Sequence, residues 1–198
     1  MGGTNQNNGG TQKKHILEVA ARLFAERGFH AIGMTELGEA VHLGRGALYH
    51  HIRSKEDLLY EISKEYIVDL AEHSKHVAQT ESDPRECVKL LGNYLIDKIT
   101  TYQPELTVCF REIQSLAEPR RTEVLSWHSQ YENCWRDVMT KGAKLGYFRP
   151  FDPIALKGIL GMYFYSYIWM RQGGRLSPRH IAERLNTMAL RALKRDGA

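Results

Sequence analysis

Cysteine is scarce in this chain, and what there is does not pair. Cys87, Cys109 and Cys134 are odd in number and widely spaced, with no C-x-x-C. That argues against a disulfide scaffold or a zinc knuckle and for reduced thiols. No apolar run reaches the ~20 residues that a helix needs to cross a bilayer. The opening MGGTNQNNGGTQ lacks the apolar core of a secretory signal. These absences predict a cytoplasmic protein with no membrane partner. No segment alternates convincingly with the period of two that marks a half-buried strand, so an all-α fold is expected. G-x-S-x-G, H-E-x-x-H and P-loop signatures are missing too. A di-iron bundle needs Glu-x-x-His on each of two helices, and the one instance here is Glu39 to His42. His73 and His76 are spaced to share a metal, yet a solvated pair is the simpler reading. Neither an enzyme, a metal nor a cofactor is expected.

What remains describes a soluble globular chain. Its 198 residues suffice for one large domain or two small ones with a real core. A formal charge of +4 permits a polyanionic partner without requiring one.

Residues 1–11 are Gly, Asn, Gln and Thr with nearly nothing to bury, and are read as a disordered tail. From 12 to 27, Ile16, Ala20, Leu23 and Phe24 recur at helical spacing, and Gly28 stands where a left-handed C-cap belongs. Ser54 with Asp57 three residues on resembles a capping box opening a helix through about 79. Asp83-Pro84 fits a second start, followed by Val88, Leu91, Leu95 and Ile99. Pro104 and Pro119 each sit where a helix can begin. Further helices are expected over 118–145, 152–171 and 177–193, the last two separated by Gly173-Gly174.

The stretch 33–58, GMTELGEAVHLGRGALYHHIRSKEDL, carries the clearest chemistry. It reads as two short helices joined by a tight turn. Met34, Leu37 and Val41 share one face of the first; Leu48 and Ile52 should pack the second onto it and onto Phe24. So short a helix, with Gly44 and Gly46, holds its shape only through packing. Arg45, Gly46, Ala47, Tyr49 and His50 are left facing out. Small residues let the backbone approach a groove, and Arg45 can fork onto guanine O6/N7 or a phosphate. Tyr49 can reach a phosphate or a thymine methyl. Lys55 opens the next helix, where backbone N–H groups already favour a phosphate, and Lys13 and Lys14 can add backbone contacts. Taken singly, Arg45 and Lys55 are ordinary solvated charges and Tyr49 an ordinary packing residue; their order and spacing make the case.

In the second half, residues 159–170 are apolar or aromatic on every side. A helix with one buried face does not look like this. Two buried faces do, one on the core and one on a second subunit, so the last two helices are expected to form a two-fold four-helix bundle. A monomer with a fully buried helix is the alternative. Two recognition helices related by that axis would read a palindrome with half-sites one or two turns apart, ~34 Å each. Phe110, Trp127, Tyr131, Trp135, Tyr163 and Tyr167 are candidate walls of a ligand pocket, though each can equally be plain core.

The chain resembles the TetR family of bacterial transcriptional regulators. The residues that carry this are Ala20-x-x-Leu23-Phe24-x-x-x-Gly28-Phe29, Leu37-x-x-x-Val41, Gly46-x-Leu48-Tyr49-His50-His51 and Ser54-Lys55-Glu56-x-Leu58. The resemblance implies that Thr35, Arg45, Ala47, Tyr49, His50 and Lys55 lie at or near DNA. It departs at Gly33, where the family has a capping Ser or Thr, at Gly38 (usually Ala) and at His42 (usually Gly). Trp135-x-Asp137-Val138, Gly146-Tyr147-Phe148-Arg149-Pro150 and Trp169-x-Arg171-x-Gly173-Gly174-x-Leu176 look like actinobacterial TetR-type repressors of steroid and fatty-acid catabolism. That likeness implies a bulky apolar effector, acyl or ring-shaped and carried on CoA in several such proteins, with Arg171 or Arg175 near its phosphates. Both arginines can also simply cap helix ends.

The expected architecture is thus an N-terminal three-helix helix-turn-helix domain over 12–58 and a larger helical effector-binding and dimerisation domain over 59–198. The expected function is a ligand-responsive regulator, a repressor by family habit, that binds operator DNA as a homodimer. The rivals are a helical enzyme or metal protein and an architectural DNA-binding protein without an effector.

Overall fold

The structure is a computed structural model describing residues 6–171 and 173–195, with side chains from residue 10 on. Among these residues it is helical throughout: α1 (Gln6–Arg27), α2 (Met34–Ala40), α3 (Arg45–His51), α4 (Lys55–Thr80), α5 (Pro84–Thr101), α6 (Gln103–Glu112), a 3-10 turn at Ile113–Ser115, α7 (Arg120–Lys144), α8 (Pro153–Phe164), α9 (Ser166–Trp169) and α10 (Pro178–Leu193). No strand occurs among them; Phe148 and Lys194 make an isolated bridge. Of the expected tail, 1–5 lie outside the described residues, while α1 begins at Gln6. No helix is long and apolar enough to cross a membrane among the described residues.

Two compact units form. The first holds the chain up to Tyr66 together with Pro104–Val124; the second holds Ile67–Gln103 and the chain from Leu125 onward. The first therefore includes the helix-turn-helix stretch, the start of α4, nearly all of α6 and the start of α7.

In the first unit, α1 buries Ile16, Ala20, Ala21 and Phe24, and ends where Gly28 takes a φ of 91°. α1, α2 and α3 pack on one another. Leu37, Val41, Leu48 and Ile52 form the interior of that packing, and Phe29 meets Phe24 edge to face at 5.2 Å. The turn into α3 runs through His42 at φ 54°, the positive φ that the glycine usual there would adopt freely. Gly38 accommodates this turn: a Cβ there would lie 3.0 Å from the Leu43 carbonyl oxygen.

In the second unit, α5 lies along α10, with Val88, Leu91, Leu95 and Ile99 buried on one and Ile181, Leu185 and Ala189 on the other. Asp83, Asp152 and Ser177 cap α5, α8 and α10 through their side chains, each followed by a proline. Tyr131 and Trp135 of α7 and Tyr163 of α8 are fully buried. The helix expected over 152–171 is interrupted. α8 stops at Phe164, Tyr165 forms the joint, and the single turn α9 follows, closed by Ile168 N–H onto the Tyr165 carbonyl at 3.2 Å.

Candidate nucleic-acid interface

α3 is short, has no side-chain N-cap bond at Gly44, and is held by its inner face. Leu48 and Ile52 are 1% and 2% exposed. Its other side carries Arg45, Gly46, Ala47, Tyr49 and His50, all exposed, and Thr35 near the start of α2 is exposed too. The Arg45 guanidinium lies over the Tyr49 ring, 5.7 Å from its centre. The His50 and His51 rings meet edge to face at 5.4 Å. A cationic fork, a phenol, an imidazole and two small residues thus share one outward surface. Such a surface suits a groove lined by phosphates and base edges.

Lys55 is placed differently from the sequence expectation. Its ammonium donates to the carbonyls of Phe29 at 2.9 Å, Ile32 at 3.1 Å and His30 at 3.4 Å. Lys13 pairs with Glu61 at 3.0 Å, whereas Lys14 is exposed.

A polar network that the sequence did not announce joins the starts of α4 and α7 within the first unit. Ser54 Oγ accepts from Asp57 N–H at 3.0 Å, as a cap should. The Asp57 carboxylate, however, accepts from Arg120, and Arg120 also lies 3.7 Å from Glu56. Tyr60 donates to Glu123 at 2.6 Å and Lys64 pairs with Glu123 at 2.7 Å; Lys64 first and Tyr60 second hold the Glu123 carboxyl below its ordinary range. Opposite charges at matching helix starts were the available signal, but partners some sixty residues apart cannot be assigned from one sequence.

The candidate ligand residues fall in both units. Phe110 belongs to the first unit and is half exposed. Tyr131, Trp135 and Tyr163 are buried core of the second unit, where Trp135 and Tyr163 rings lie 5.7 Å apart. Burial pushes the Tyr131 phenol well up. Trp127 and Tyr167 are partly exposed. Arg171 instead lines a cleft of about 530 Å³ formed by the end of α5, residues 169–171 and 173–177 and the start of α10. Trp169, Met170, Leu176 and Ile181 make its apolar wall, with Arg171 and Arg175 among the lining. Gln103 fixes the loop by donating to the carbonyls of Tyr167 at 2.7 Å and Met170 at 2.9 Å. No group of three His, Cys, Asp or Glu side chains suited to a metal occurs among the described residues. His73 is stacked on Tyr94 at 3.5 Å.

Residues 16–62 match the family described as bacterial regulatory proteins, tetR family, and residues 81–193 match the tetracyclin repressor-like C-terminal domain. The HTH-type transcriptional repressor KstR2 of Mycobacterium tuberculosis is 26% identical over 190 residues, covering 94% of this chain and 95% of that protein. The structure of KstR2, described as a ketosteroid transcriptional regulator, superimposes with a TM-score of 0.86 over 98% of both chains. The TetR family regulator PfmR of Thermus thermophilus is 29% identical with a TM-score of 0.84, over 91% of this chain and 99% of that one. AibR, solved with isovaleryl coenzyme A and operator DNA, is 27% identical with a TM-score of 0.79, over 89% and 97%.

Proposed function

This chain belongs to the TetR family of bacterial regulatory proteins, and from that we propose that it is a repressor that binds a palindromic operator as a homodimer and leaves it when a CoA thioester binds. The observation that carries the DNA half is the division of α3, with Leu48 and Ile52 buried and Arg45, Gly46, Ala47, Tyr49 and His50 turned out. Thr35 joins that surface from α2. Arg45 reads a guanine or clamps a phosphate; Tyr49, held by the Arg45 stack, contacts the backbone or a thymine methyl. The head is the helix-turn-helix over 12–58, and 59–198 serves the effector and the dimer.

The dimer forms through α8, α9 and α10. Supporting this, Ile154 is 76% exposed, Tyr165 62%, Ile168 56% and Met188 55%, an outlay of apolar surface that water does not favour. The effector reading rests on AibR and KstR2 as relatives and on the cleft beside Arg171. An acyl or ring group would lie against Trp169 and Ile181, its phosphates on Arg171 and Arg175. Trp127, Tyr131, Trp135, Tyr163 and Tyr167 of the second unit are the remaining proposed effector residues. The regulator acts in the cytoplasm, where its DNA is.

Release follows from differential affinity. An effector favouring a conformation whose heads are wrongly spaced must weaken DNA binding by the same free energy. The test is thermal unfolding and DNA release with isovaleryl-CoA, a steroid-derived CoA thioester and free CoA. A thioester that raises the midpoint and frees the duplex is expected. If none of the three does either, the effector class is wrong.

A further inference from the structure

Resting on the reading of α3 as the recognition helix, we infer that the His42 imidazole, in the turn between α2 and α3, is a further DNA contact and donates to a phosphate oxygen of the duplex that receives α3. His42 is the only residue other than glycine with a positive φ among the described residues, at 54°. Two backbone bonds hold it there. His42 N–H donates to the Glu39 carbonyl at 3.1 Å, and Leu43 N–H to the Gly38 carbonyl at 2.9 Å. This paired closure ends a helix on a left-handed residue. Glycine takes that conformation freely, whereas a Cβ raises its free energy.

Nothing within the chain offsets this cost. The His42 side chain is exposed, and among the described residues it makes no hydrogen bond, ion pair or ring contact. Strain that packing and bonding leave uncompensated points to a gain made with a partner. Of the turn residues Val41, His42, Leu43 and Gly44, only His42 has a polar side chain.

The surroundings say which partner. Arg45 opens the outward face of α3 three residues after His42. The surface between and beyond them is bare, since a Cβ at Gly44 or at Gly46 would meet nothing within 4 Å. A duplex that approaches Arg45 therefore finds no side chain of these glycines to hold it off the turn. The imidazole has an N–H in either tautomer, and a phosphate oxygen is an acceptor.

The experiment compares the wild type with His42→Gly and His42→Asn. Glycine keeps the left-handed turn and removes only the imidazole. Asparagine tolerates a positive φ and keeps an N–H donor. Each protein is titrated with a duplex that the wild type selects from random DNA, and its thermal midpoint is measured without DNA. His42→Gly should bind about fivefold more weakly, with a midpoint no lower than that of the wild type; His42→Asn should lose less affinity. Diethyl pyrocarbonate labelling of the wild type, mapped by mass spectrometry, should modify His42 in the free protein and spare it on the duplex.

Wild-type affinity in His42→Gly would overturn the inference. So would equal labelling of His42 with and without duplex, a readout that needs no variant. Site selection by His42→Gly should return the wild-type sequence, because a phosphate carries no sequence information; a changed preference would place the imidazole on a base and overturn the phosphate assignment. A wild type that retains no duplex would remove the recognition-helix reading and this contact with it, an outcome distinct from a wild type that binds and a glycine variant that binds equally well.

Discussion

The Tyr163 hydroxyl donates to Asn186 Oδ1 at 2.6 Å inside the second unit, and Gly92 of α5 lies against the pair. Asn186 in turn donates to Asn93 Oδ1 at 2.8 Å and the Lys89 carbonyl at 3.3 Å. Three helices, α5, α8 and α10, are tied at this one buried point. Tyr163→Phe should cost about 1–3 kcal/mol, since it leaves the Asn186 oxygen without its donor. Gly92→Ala should cost a similar amount by a different route, because its Cβ would come 2.1 Å from Asn186 Oδ1 and 2.6 Å from Tyr163 Oη. Urea unfolding measures both.

His128 gives the fold a pH dependence. Burial lowers its pKa from 6.5 to about 4. The unfolded chain therefore takes up a proton below about 6.5 that the folded chain refuses until about 4. The contribution is fully present above that window and is lost as pH falls through it, by at most about 1.4 kcal/mol per pH unit. His128→Gln should flatten the stability profile between these limits relative to wild type. Parallel profiles would contradict the assignment.

On the outward face of α3, Arg45→Ala and Tyr49→Phe should each weaken operator binding, Arg45→Ala by about 1–3 kcal/mol if it reads a base. Neither touches the buried Leu48 side, so circular dichroism and oligomeric state should not change. Unaltered affinity in both variants would contradict the assigned recognition helix.

The proposed dimer face is tested by Ile168→Glu. A carboxylate there would be buried unpaired in the interface, so light scattering should find a 22.7 kDa monomer where the wild type is a dimer. The variant should also lose affinity for a palindrome more than for a single half-site.

Local signals made much of this architecture legible. Gly28 as a left-handed cap, Asp83-Pro84 as a helix start and the inward set Leu37, Val41, Leu48 and Ile52 all act over a few residues, and all lie as the sequence implied. The break at Tyr165 was not legible, because neither glycine nor proline marks the joint. The cap at Ser54 was half legible. The amide of Asp57 meets Ser54, but its carboxylate goes to Arg120, a partner that only the folded chain brings near. Lys55 shows the same limit more sharply: its position next to a helix start suggested a phosphate, and its carbonyl partners lie 23 to 26 residues earlier in the chain. Aromatic content pointed to a pocket among the middle helices, yet Tyr131, Trp135 and Tyr163 are buried as core, and the cleft that holds Arg171 is shaped by a loop whose course periodicity does not encode.

The most direct measurement is selection of bound sites from random duplex DNA by the purified protein. A two-fold symmetric sequence should emerge, with half-sites one or two helical turns apart and an affinity that falls steeply with salt. Recovery of no preferred sequence, with no duplex held even at low ionic strength, would contradict the account.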